Sequence, residues 1–164
     1  MKFKINDLIM YGTMGVCKII DIEKETGNNL REYYVLSPVY SKNIVVKIPV
    51  DNEKIAMRKI HTKDEVASLI SDMNNEIPIL VEDEKLRLQQ FKSMIRTAKC
   101  EDLITILRSI YLDKKQRKLQ GKKLYKGDEE IMHTAEKLLN EEFAIILNIC
   151  PEEVKSYIKS HVQH

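Results

Sequence analysis

The residues able to do chemistry are few and dispersed. Four histidines (His61, His133, His161, His164) and three cysteines (Cys17, Cys100, Cys150) are spread over 164 residues. A metal centre or an activated thiol calls for such groups at short, defined spacing, and neither Cys-x-x-Cys nor His-Glu-x-x-His occurs. A glycine-rich phosphate loop and a Gly-x-Ser-x-Gly elbow are also missing. Two carboxylate clusters, Glu82-Asp83-Glu84 and Asp128-Glu129-Glu130, each precede a helical pattern. Negative charge suits the positive end of a helix dipole, so both clusters are expected at helix starts, with Asp128 as an N-cap. Cys17 lies in an apolar strand and is expected in the core. The expectation is a binding protein, not an enzyme, with no cofactor, no metal and no small-molecule substrate.

Charge says more than any single residue. The net value is only +2, but it is segregated along the chain. Residues 71–84 carry five acids and no base, whereas 85–126 carry 13 bases and three acids. Residues 127–164 return to three bases and eight acids. A local excess of this kind is a candidate footprint for a polyanion; the alternative is a solvated, lysine-rich helical face.

The hydrophobic period changes near residue 60. Before it, "LIMYG" (8–12), "VCKIIDIE" (16–23), "EYYVLSPV" (32–39) and "NIVVKIPV" (43–50) are short strand patterns. A tight turn at Gly12 and Gly15 and a hairpin loop over 25–32 divide them. With no helix there to cover them, such strands are expected to form a small barrel or a strongly bent sheet. After residue 60, apolar residues recur at helical spacing. Thr62 and Glu65 form a capping box, and Val66, Leu69, Ile70 and Met73 make one stripe. Further helices are expected over 83–98, 101–119, from Asp128 onward, and from Pro151. The predicted class is α+β, strands first: a β module over 1–60 and a bundle of about five helices over 61–164.

The order "FKINDLIMYGTMGVCKIIDIE … EYYVLSP … VVKIPVDN … MRKI" resembles the CarD/CdnL family of bacterial transcription regulators. That family shares its N-terminal module with the transcription-repair coupling factor. "CEDLITILRSIYLDKKQRKL" and "GDEEIMHTAEKLLNEEFA" follow in the family's order, so the resemblance covers essentially the whole chain. It implies a Tudor-like barrel that binds the β subunit of RNA polymerase. It further implies a helical domain that contacts promoter DNA at the upstream edge of the melted −10 region and stabilises the open complex. Two departures stand out. Tyr11-Gly12 replaces the family's Tyr-Pro, and the chain has no tryptophan where the family places one at its DNA-facing helix. Arg87 falls near that position, flanked by Leu86 and Leu88.

Beside this resemblance, "IVVKIPV" (44–50) acquires a purpose. Side chains alternate along a strand, so Ile44, Val46 and Ile48 are expected on one face with Val45 and Lys47 on the other. A lysine guards an exposed edge against promiscuous pairing, and Pro49 suits an edge or strand end. Val45, Lys47 and Pro49 are therefore the expected polymerase-binding residues, on an edge open to strand addition. The expected DNA-binding residues are Lys85, Arg87, Lys92, Arg96, Lys99, Lys122 and Lys123. Phosphate contacts of this kind are salt-dependent and carry little sequence information, so DNA binding by the isolated protein is expected to be weak. Other classes stay open on residues alone: an RNA- or ribosome-associated module, or an adaptor whose basic face meets an acidic partner. The N-terminus lacks the apolar stretch of a signal peptide, and no apolar run nears the ~18 residues of a membrane span. A cytoplasmic location is expected.

Overall fold

The computed structural model describes residues 2–28 and 30–162. Five strands come first: β1 (Leu8–Tyr11), β2 (Gly15–Lys24), β3 (Glu32–Pro38), β4 (Val46–Pro49) and β5 (Met57–Lys59). Five α-helices follow: α1 (Lys63–Asp72), α2 (Glu84–Ile95), α3 (Cys100–Leu119), α4 (Lys126–Leu147) and α5 (Val154–His161). The α+β order is as expected, and no helix is long and apolar enough to cross a membrane.

The strands form one antiparallel sheet in the order β4-β3-β2-β1-β5. Among the described residues the sheet is not closed, so the barrel is open: β4 and β5 remain edges. They span only four and three residues, leaving little ladder with which to close the seam. Alternation along β1 explains how so small a sheet is stabilised. Ile9 and Tyr11 join Cys17, Ile19, Leu36 and Ile48 in a core on one face. Met10 points the opposite way and, with Val16, belongs to the large core of the helices. Burial on both faces replaces the missing ladder.

Turn chemistry matches the residues at the β1–β2 connection. Gly12 (φ +47°) and Gly15 (φ +95°) flank a short 3₁₀ turn, in backbone regions that favour glycine. A Cβ at Gly15 would stand 2.6 Å from the Glu141 carboxylate, so this turn also needs a bare backbone to approach α4. In α1 the capping box is present, with Thr62 Oγ1 accepting from the Glu65 N–H. The start of α4 differs from expectation. Tyr125 is its N-cap, whereas Asp128 lies inside the first turn and is buried. The residue type suited a cap, but a tertiary partner claims its carboxylate.

Sheet and helices meet at one ionic joint. Arg58 of β5 donates to both oxygens of Glu142 on α4, at 2.7 and 2.8 Å. The same guanidinium donates twice to the Ala98 carbonyl, at 2.8 and 2.6 Å. Glu142 is fully buried and also accepts from the His61 N–H (3.0 Å) and the Cys100 thiol (3.1 Å). Burial pushes the Glu142 carboxyl up, but the hydrogen bonds and charge of Arg58 outweigh it and hold the group below its ordinary 4.5. Its neighbour Glu141 faces Gly15 and has no such partner, and burial raises it.

The adjacent carboxylates therefore have opposite pH signatures. The Glu142 contribution to stability is present above pH 4.5 and is lost as pH falls through its lowered native value. Ionised Glu141 costs stability at neutral pH, and the cost disappears as pH falls through its raised value. In urea unfolding at pH 7, Glu142→Gln is expected to lose about 3 kcal/mol, the lower end for a broken buried pair because Arg58 keeps some solvent access. Glu141→Gln is expected to gain stability. Both differences from wild type should shrink as the medium is acidified, and a pH-independent pair of offsets would contradict the assignment.

Candidate functional site

Two surfaces collect the expected binding residues. The first is the β4 edge of the sheet. Strand β4 pairs with β3 on one side only, with Lys47 opposite Val35 and Pro49 opposite Tyr33. Ile48 is buried and Val46 is half-buried, whereas Lys47 is exposed. The alternation expected of this strand thus holds within β4. Val45 lies just before the strand with 59% of its surface exposed. Ile44 was expected to share the inner face but is also exposed, because the strand begins only at Val46. Lys47 is not a free cation. Its ammonium binds the Glu23 carboxylate of β2 across the outer face, and this hydrogen bond raises the lysine pKa. Sequence inspection missed Glu23 because two strands must be aligned in register before the pair exists.

The second surface is the basic block. Lys85, Lys92, Arg96, Lys99, Lys122 and Lys123 are all exposed. Among the described residues none of the six forms an ion pair. Lys85 and Lys92 of α2 and Arg96, its C-cap, are seven and four residues apart, so at about 100° per residue they share one stripe. Arg87 does not belong with them. It stands about 200° from Lys85 and only about 40° from Phe91 on the helical wheel, on the inward side. Arg87 is 7% exposed and Phe91 is fully buried. The expectation that Arg87 faces DNA is therefore corrected: its guanidinium donates to both oxygens of Asp128 and to the Val81 carbonyl.

That buried pair organises the basic loop. Asp128 is the residue expected to cap α4, and its ionic partner explains its burial. Tyr125, at the start of α4, lies 4.1 Å from the Arg117 guanidinium and 5.7 Å from that of Arg87, measured to the ring centroid. Such contacts hold the 120–125 segment, which carries Lys122 and Lys123, against α2 and α3. Exposed apolar residues nearby include Leu119 at the end of α3, at 84%, Leu86 on α2, at 58%, and Ile77 and Leu80 on the connection preceding α2, at 81% and 78%. Leu86 stands about 100° from Arg87 on the helix, so with Arg87 turned inward it lies on the open flank of α2.

Among the described residues, the chemistry-bearing side chains converge at the ionic joint. His61, Cys100 and Glu142 bring potential ligand atoms within 4.8 Å of one another. A borderline divalent cation could use such a set only after Arg58 had left the carboxylate, because Arg58 holds both of its oxygens. Burial and the nearby Glu142 push the Cys100 thiol far up, against the thiolate a metal needs. His61 is not a plain surface histidine: Nδ1 binds Glu65 at 2.7 Å, and Nε2 is buried without a hydrogen-bond partner among the described residues. His133 and His161 are exposed, and His164 lies outside the described residues. Cys17 and Cys100 are buried free thiols, and Cys150 is exposed.

The small antiparallel sheet, with its two edge strands β4 and β5, is locked to the helical bundle through Arg58 and Glu142. Residues 3–61 match the family model of the CarD-like/TRCF RID domain, which spans all five strands. The match covers the sheet module and supports the CarD-like membership suggested by the sequence. RID domains interact with RNA polymerase, and the match supports an RNA polymerase-binding transcription protein. The helices from residue 62 onward lie outside the match. None of the curated proteins compared with the chain matches it.

The placement of Arg87 separates two roles by experiment. Arg87→Ala strands the Asp128 charge in the interior and is expected to cost about 3–5 kcal/mol in urea unfolding. Lys92→Ala is expected to leave stability within about 0.5 kcal/mol of wild type. A stable Arg87→Ala protein would mean that the guanidinium is not held as described.

Proposed function

We propose that the chain binds the RNA polymerase β subunit through the β4 edge and contacts promoter DNA through the basic face of α2, at the upstream edge of the melted −10 region. It acts by binding alone, without catalysis, and its effect is to stabilise the open complex. The observation that carries this reading is the RID match over a sheet whose β4 edge is unpaired. An unpaired strand offers main-chain donors and acceptors to a partner strand, and neighbouring side chains such as Val45 add specificity. Lys47 serves as a guard already neutralised by Glu23, which leaves a surface that rejects casual pairing without repelling a partner.

The DNA half of the proposal rests on the six unpaired cations, which suit phosphates, and on Leu86. A leucine inserted at a distorted minor-groove step acts as a smaller wedge than the tryptophan the family usually carries. Arg87 cannot serve as the wedge while it is bonded to Asp128. Linking two weak contacts, one to polymerase and one to DNA, raises the occupancy of both.

Two measurements test the proposal. Val45→Asp should weaken binding to purified core polymerase by about tenfold or more without altering the circular dichroism spectrum, since Val45 is exposed. Equal affinity would remove this edge from the interface. Leu86→Trp should lengthen, and Leu86→Ala shorten, the lifetime of competitor-resistant promoter complexes. Identical lifetimes would return the basic block to a solvated face.

A further inference from the structure

A cleft in the helical bundle is lined by none of the residues of either proposed interface. It lies where α3, α4 and α5 converge and has a volume of about 270 Å³. Its floor is the bundle core itself: Ile104, Leu107 and Leu139 line it and are almost wholly buried, and Ile158 of α5 closes one side. At ~30 Å³ each, roughly nine waters would fill this space, but aliphatic walls give them few hydrogen-bond partners. The cleft is thus a place where water is held poorly and an apolar chain is held well.

The mouth has the opposite character. Lys155 and Lys159 of α5 both line the cleft and both are exposed. They are four residues apart, so they share one face of the helix and repel each other. Among the described residues neither has an acidic partner. The acid at the rim, Glu136, is engaged by the Tyr111 hydroxyl. An anion placed between the lysines would relieve their repulsion while its apolar body covered the floor.

We propose that this cleft binds a small anionic amphiphile, an unbranched aliphatic carboxylate of medium length, with its carboxylate between Lys155 and Lys159 and its chain over Ile104, Leu107, Leu139 and Ile158. The pairing of an aliphatic floor with a cationic mouth selects this class. A phosphodiester lacks the apolar body, and an uncharged hydrocarbon leaves the lysines unpaired. The site rests on residues outside the matched RID domain, so it stands or falls independently of polymerase binding. Occupancy would fasten α5, the last helix, to α3 and α4.

The probe is decanoate, titrated into the full-length protein and followed by amide shifts in two-dimensional NMR, with decylammonium as the control of equal chain and opposite charge. Decanoate should saturate with a dissociation constant on the order of 1 mM, shifting amides of α3, α4 and α5 together. Lys155→Glu/Lys159→Glu should weaken decanoate by about tenfold and improve decylammonium, with the fold unchanged because both residues are exposed. Equal binding of the two amphiphiles to wild type would mean apolar contact only and would overturn the proposal. So would shifts scattered over the sheet. Concentration-dependent self-association that protects the same amides without ligand would assign the cleft to a second copy of the chain and equally overturn it.

Discussion

The buried charge pair between Arg58 and Glu142 is the constraint on which the rest of the molecule depends. Arg58 stands on a three-residue edge strand that could not hold its place by ladder hydrogen bonds alone. Its guanidinium reaches α4 through Glu142 and the α2–α3 turn through the Ala98 carbonyl, where the backbone takes a left-handed φ of +57°. One side chain thus sets the position of three elements. A buried pair of this kind contributes specificity more than net stability, because desolvating both groups offsets much of their attraction. Removing one partner is costly for the same reason. The His61 N–H and the Cys100 thiol complete the carboxylate's hydrogen bonds, so it is satisfied in an otherwise apolar setting.

A second buried pair, Arg87 with Asp128, repeats the device within the helical half. It draws the first turn of α4 onto α2 and brings Tyr125 beside two arginines. The two pairs show that the excess of positive charge in residues 85–126 is not uniform in purpose. Arg87 and Arg117 build the structure, whereas the lysines around them face solvent without acidic partners. A tally of charge by segment counts both kinds alike, and only burial separates them.

The sheet edge follows a different logic. A closed barrel would have no edge to offer, and a long apolar edge would invite aggregation. Strand β4 is short, carries one charged residue whose charge is met by Glu23, and ends at Pro49. Its free side therefore stays monitored by chemistry rather than covered by structure.

Much was legible in the residues themselves. The strand and helix periods placed four of the five strands and all five helices, because burying one face imposes a repeat of two or 3.6 residues on any sequence. Local chemistry was equally readable: the capping box at Thr62, the glycine turn at 12–15, and the open edge around Lys47 and Pro49 depend only on near neighbours in the chain. The RID resemblance could be seen for the same reason, since it lies in the order of local patterns over residues 3–61. What failed were pairings between residues far apart. Arg87 and Asp128 are 41 positions apart, Arg58 and Glu142 are 84, and Lys47 and Glu23 are 24. Whether a charged side chain faces phosphate, a carboxylate or water is decided by which distant group the fold brings within 3 Å of it. For Arg87 the helical angle to Phe91 already pointed inward, but only the packed structure supplied the aspartate that makes burying a guanidinium possible.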